Sequence, residues 1–178
     1  MSSSLSLSDL IALSRNRWAV ALLADVAAHK GARFAELLHR LKLPRDSLSR
    51  TLEAAKAAGW IIPNPGHGHP LRPEFLLTEE GARMATAASA ILAAQQQLNL
   101  SAAQLTRWSL PLVRAIDLGD QRFNALSRTL APATPRALSQ SLRSLAASHL
   151  VTRQLVSDYP PTSLYGLTDN GMMLARAC

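Results

Sequence analysis

"ALSQSLRSLAASHLV" (residues 137–151) carries leucines at helical spacing and ends on a short apolar step. Ninety positions earlier, "SLSRTLEAAKAAGWI" (residues 47–61) aligns with it without a gap. Leu48 falls on Leu138, Ser49 on Ser139, Leu52 on Leu142 and Trp60 on Leu150. In a helix, residues three and four apart share a face, so the agreeing leucines form an inner stripe. The outward positions differ: Asp46 stands where Arg136 stands, and Glu53 where Arg143 stands.

The likeness extends beyond this helix. Trp18 returns as Trp108, Leu22 as Leu112 and Val26 as Ile116. "ARFAEL" (32–37) returns as "QRFNAL" (121–126), one residue out of step, and "LTEEG" (77–81) as "LTDNG" (167–171). Four blocks in one order read as a tandem duplication. The expected layout is a first domain over 1–82, a connecting helix over 83–100 and a second domain over 101–178.

Each copy has the same order of elements. In the first, residues 8–29 read as helix, with Ser8 or Asp9 as cap, Gly31 as stop and a break at Arg15–Arg17. Residues 33–41 form a short helix. Pro44 opens another, with Leu48, Leu52 and Ala55 inside and Gly59 at its end. "WIIP" and "EFLLT" are strands about the loop "NPGHGHPLRP". In the second copy helices fall at 104–117, 122–130 and 135–148, with Thr134 as N-cap and Pro135 at the first position. Strands follow at 150–156 and 163–167. Residues 79–99 read as a joining helix. Trp18, Trp108, Phe34 and Phe123 are expected in the core. Three helices followed by a hairpin is the order of a winged helix, so the fold class is mainly α with small β-hairpin wings, a tandem winged helix-turn-helix pseudo-dimer.

The chain has 178 residues and a net charge of +7, from 19 basic and 12 acidic residues. Both halves are basic: 11 basic against 8 acidic residues over 1–90, and 8 against 4 over 91–178. A folded nucleic-acid binder fits this balance, as does an ordinary basic protein. The one cysteine, Cys178, excludes an internal disulfide framework and a cysteine-based zinc site. No signal peptide or apolar span is evident, and a cytoplasmic setting is expected. G-x-S-x-G, H-E-x-x-H and a glycine-rich phosphate loop are all missing, so an enzyme is not expected.

At this point a family resemblance becomes specific. "RWSLPLVRAI" (107–116), "RFNALSRTL" (122–130), "TPRALSQSLRSLAASHLV" (134–151) and "YPPTSLYGLTDNG" (159–171) together resemble the HxlR-type branch of the MarR-like winged-helix transcription regulators. The first copy matches more loosely through "RWAVALLADV", "RFAELLHRL", "LSRTLEAAKAAGWI" and "HPLRPEFLLTEEG". The resemblance implies DNA binding by the third helix of each copy, with the hairpin as wing. Two features depart from the family. Its members usually carry one winged helix and dimerise, and some use an N-terminal cysteine as a redox or electrophile sensor. This chain has two copies and no such cysteine, so a thiol switch is not expected.

A reading helix must offer side chains that match base edges in the major groove. The second copy offers Arg136, Ser139, Gln140 and Arg143. The first offers Arg45, Ser49, Arg50 and Lys56, together with the acids Asp46 and Glu53. In the first wing Arg72 is a candidate for phosphate or minor-groove contact, while His67 and His69 read as a solvent-facing tip, since zinc would need further ligands. The second wing, with Asp158, Tyr159, Pro160 and Pro161 and with Arg153 near its base, looks the poorer phosphate binder. Arg33 and Arg122 open the second helix of each copy, where a phosphate or plain solvent would suit them equally.

The leading reading is a transcriptional regulator in which two diverged winged helices bind double-stranded DNA, without cofactor, metal or membrane. The alternative is a winged-helix protein–protein interaction module with little DNA contact. The tandem pair would serve as a monomer, or as a homodimer through residues 84–98, where Ile91, Leu92 and Leu98 stand. No residue specifies an effector.

Overall fold

The computed structural model describes residues 5–66, 73–101, 104–157 and 162–178. The fold is mainly α, with two small antiparallel sheets, and it divides into two compact units. The division falls between Leu92 and Ala93, and residues 5–15 cluster with the second unit.

The first unit starts with α2 (Ala19–Ala28), which buries Ala19, Leu22, Leu23 and Val26. The two-residue strand β1 (Ala32–Arg33), helix α3 (Phe34–Leu41) and helix α4 (Arg45–Ala57) follow. Strands β2 (Ile61–Pro63) and β3 (Glu74–Leu77) form the hairpin, with Ile61 opposite Leu77 and Pro63 opposite Phe75. β1 adds to the other edge of β3, so the sheet order is β1-β3-β2. Helix α5 (Glu79–Gln97) leaves the sheet. Of the three residues that stand on the stretch expected for a homodimer, Ile91 is buried, whereas Leu92 and Leu98 are half-buried.

In the second unit α6 (Ser109–Asp117) is the central helix. It packs on α1 (Leu7–Leu13), α7 (Phe123–Thr129), α8 (Pro135–Ala147), β5 (Thr162–Leu167) and α9 (Asp169–Ala177). Neighbours on all sides explain why seven of its residues, Ser109 to Val113 with Ala115 and Ile116, are buried. β4 (Val151–Val156) pairs with β5 from Val151 opposite Leu167 to Val156 opposite Thr162. The counterpart of β1 is reduced to a bridge between Arg122 and Leu164.

Several sequence expectations shift. The first helix is two, broken where Arg15–Arg17 predicts it, but α1 is capped by Ser6, not by Ser8 or Asp9. The Ser6 hydroxyl accepts from the Asp9 amide at 3.1 Å, and the Asp9 carboxylate accepts from the Ser6 amide at 3.1 Å, a reciprocal capping box. α6 starts at Ser109 rather than at 104, because the Ser109 hydroxyl accepts from the Thr106 amide at 2.9 Å and holds that stretch as a turn. Trp108 is buried, but Trp18, Phe34 and Phe123 are only half-buried. α1 buries Leu10 and Leu13 within the second unit, and the Leu5 amide donates to the Cys178 carbonyl at 2.6 Å.

One joint recurs in both units. α4 ends in a left-handed residue, Gly59 (φ +72°), and α8 in His149 (φ +54°). In each case the next amide reaches back to the helix: Trp60 to the Ala55 carbonyl, Leu150 to the Leu145 carbonyl, both at 2.9 Å. The hydroxyls of Thr78 and Thr168 donate to the carbonyls of Gly59 and His149, at 2.6 and 2.7 Å. Each accepts in turn from the amide of Gly81 or Gly171. A Cβ at Gly81 would overlap the Trp60 carbonyl oxygen, and one at Gly171 the Leu150 carbonyl oxygen. The L-T-x-x-G motif is therefore the clasp that ties the hairpin to the helix behind it.

Candidate nucleic-acid interface

The geometry of α8 follows from its cap and stripe. Thr134 is extended (φ −74°, ψ 149°), and its hydroxyl accepts from the Ala137 amide at 3.2 Å, with Pro135 at the first helical position. Leu138, Ser141, Leu142 and Leu145 are buried. Helical periodicity then sends Arg136, Gln140 and Arg143, at i, i+4 and i+7, to the opposite face. All three are exposed, and Ser139 beside them is half-buried. Among the described residues, none of the three longer side chains makes a hydrogen bond or ion pair.

α4 has the same length and the same inward stripe, Leu48, Thr51, Leu52 and Ala55. Its start differs: Pro44 is the N-cap and supplies no side-chain bond. Asp46, in the first turn, gives the helix its favourable N-terminal negative charge instead. Asp46, Ser49, Arg50 and Glu53 are exposed and Lys56 is half-buried. The basic groups here have partners. The Lys56 ammonium pairs with Glu53 at 3.0 Å, Arg50 Nε donates to the Asp46 carbonyl at 3.2 Å, and the Arg45 guanidinium lies 5.4 Å from the Phe34 ring centre.

Both α4 and α8 are fixed to their units through a buried hydroxyl. Thr51 donates to the Ser47 carbonyl at 2.7 Å and to Asn16 Oδ1 at 3.1 Å. In the second unit Ser141 and Thr106 share a hydrogen bond of 2.5 Å, and Ser144 donates to the Gln104 carbonyl at 2.8 Å.

Arg33 and Arg122 are exposed and stand in extended backbone just before α3 and α7. The Arg33 amide donates to the Glu36 carboxylate at 2.8 Å. The residue matching Glu36 is Ala125, so the second unit has no acid there. On the second wing Arg153 is exposed, and its Nε and Nη2 donate to the Ser163 hydroxyl at 3.0 and 2.9 Å. Arg72, His67 and His69 lie outside the described residues, as do Asp158, Tyr159, Pro160 and Pro161.

Two further arginines lie outside the candidate residues that helical spacing picks out. Arg17 and Arg107 are exposed, and each stacks over the tryptophan that follows it, at 5.0 and 5.1 Å from the ring centre. The signal available was the dipeptide Arg-Trp, repeated at the same ninety-residue offset. Elsewhere, Asp25 and Arg40 join α2 to α3 in the first unit at 2.7 Å, and this hydrogen-bonded pair raises the Arg40 pKa. Cys178 is buried, and burial pushes its thiol up to about 12. No group of three or more His, Cys, Asp or Glu among the described residues could hold a metal ion, and no helix there is long and apolar enough to cross a membrane.

The family match falls on the second unit. Residues 105–177 match the family of the HxlR-like helix-turn-helix. A curated protein of Methanothermobacter thermautotrophicus, described as an uncharacterized HTH-type transcriptional regulator, is 31% identical over 65 residues, which is 36% of this chain. The chain spans 50% of that relative's length. Two solved structures are similar over part of the chain. Diamide-treated YodB from B. subtilis is 25% identical with a TM-score of 0.38, covering 40% of this chain and 70% of its own. A provisionally described MarR-family transcriptional regulator from Enterococcus faecalis V583 is 30% identical with a TM-score of 0.40, covering 50% and 76%.

Proposed function

We propose that this chain, whose residues 105–177 carry an HxlR-like helix-turn-helix, is a cytoplasmic transcriptional regulator that binds double-stranded DNA as a tandem of two diverged winged helices. The observation that carries the reading is the outward face of α8. It holds two arginines and a glutamine, exposed and without partners among the described residues, on a helix whose other face is locked into the core. Arginine pairs bidentately with O6 and N7 of guanine, and glutamine with N6 and N7 of adenine. Arg122, Arg107 and Arg153 would bind phosphates around that helix. In the first unit Arg33, Arg45, Ser49, Arg50 and Lys56 would face the duplex, with Arg72 on the wing. Phosphate contacts fix position and add salt-dependent affinity, whereas base contacts add specificity.

A second reading has its own observation. Asp46 and Glu53 on α4 suit a protein partner better than a phosphate backbone. Titration of a fluorescent duplex by anisotropy, with wild type and Arg136→Glu/Arg143→Glu, separates the two. The double reversal is expected to weaken binding about a hundredfold or more and to flatten its salt dependence. Unchanged duplex affinity would favour the protein-docking reading.

A further inference from the structure

We infer that base-specific readout is confined to α8, that α4 contributes at most phosphate contacts, and that the operator is therefore asymmetric, with one specified half. This rests on the DNA-binding function proposed above and adds which unit reads and what it reads.

The first ground is the geometry of α8. From Arg136 to Arg143 the helix rises about 10.5 Å at 1.5 Å per residue, which covers about three base pairs at 3.4 Å each. Arg136, Gln140 and Arg143 occur in that order on one face. The base-edge chemistry of arginine and glutamine then specifies guanine at two positions and adenine at one between them.

The second ground is what α4 holds at the same places. The three positions are Asp46, Arg50 and Glu53. Glu53 neutralises Lys56 at 3.0 Å, and Asp46 stands in the first turn of a helix that lacks a side-chain cap. Glu36, close to the remaining candidate Arg33, accepts the Arg33 amide at 2.8 Å. All three acids thus have a local role in the first unit, whereas their counterparts in the second are Arg136, Arg143 and Ala125. A carboxylate facing a duplex repels phosphate, and its one useful base partner is the cytosine amino group. α4 keeps the shape of α8, but it sets acids at two of its three outward positions and ties Arg50 Nε to the Asp46 carbonyl at 3.2 Å.

The test is selection of bound sequences from a random duplex pool by the full chain at about 150 mM salt, repeated with Arg143→Lys and Glu53→Gln. Lysine keeps the charge of arginine but not its bidentate fork. The wild type is expected to enrich one specified half. Arg143→Lys should lose the guanine preference at one position, by about tenfold to a hundredfold, while still holding duplex. Glu53→Gln should tighten all duplexes alike and leave the motif unchanged. Two equally specified halves, or a base preference erased by Glu53→Gln, would overturn the inference and leave DNA reading intact. Failure of the wild type to retain any duplex would instead remove the DNA-binding reading, and this inference with it.

Discussion

Helices α4 and α8 share their length, their buried stripe and their closing turn, yet they carry opposite charge at two outward positions. Inward positions answer to packing, where a lost methylene leaves a cavity and an extra one strains neighbours. Outward positions answer only to solvent or a partner. A chain holding two versions of one helix separates these pressures. What stays the same reports the fold, and what changes reports the partner.

The comparison breaks most sharply at α1. This helix lies before the first unit in the sequence but buries Leu10 and Leu13 in the second. Leu10→Ala is expected to destabilise the second unit by about 2–5 kcal/mol through the cavity it leaves. Hydrogen exchange should show lost protection in α6 and α9, with α3 and α4 unaffected. Equal loss in both units would mean that they unfold as one.

The clasp is the next point of attack, and there the units should behave alike. Gly81→Ala and Gly171→Ala each place a methyl group against a backbone carbonyl that cannot swing away. Each should cost about 3 kcal/mol, the upper end of overpacking effects, measured by denaturant unfolding. A neutral result at either glycine would show that its hairpin does not depend on this joint.

Cys178 gives the most one-sided effect, confined to alkaline pH. Its thiol is pushed up to about 12 by burial, against about 8.5 in an unfolded chain. The folded state holds the proton more tightly, so this contribution is fully present below about pH 8.5 and is lost as pH rises toward about 12. The slope from this one group is about 1.4 kcal/mol per pH unit. Alkaline unfolding of Cys178→Ala should lack that component. An identical alkaline profile would show that the thiol ionises freely in the native state.

Much of this architecture was legible in the residues. The Thr134–Pro135 start and the leucine stripe of α8 state a capped amphipathic helix outright, and Arg15–Arg17 marks the break before α2. Other features were not legible. β1 is two residues long, too short for any periodicity, and it exists because β3 offers an open edge. α1 reads as an amphipathic helix, but a stripe of leucines does not say which core it enters. The outward residues of both α4 and α8 could be named from spacing alone. The stacking of Arg45 on Phe34 could not, because it joins two helices. The burial of Ile91 was missed for a similar reason: an alanine-rich helix shows little contrast between its faces.

Methylation interference on a selected duplex tests the central claim most directly. A methyl group on guanine N7 blocks the acceptor that an arginine fork needs. Guanines whose methylation prevents binding are expected in one half only, and Arg136→Ala or Arg143→Ala should each remove one of them from the pattern. Interfering guanines spread equally over two halves, or a pattern unchanged by either substitution, would contradict the account.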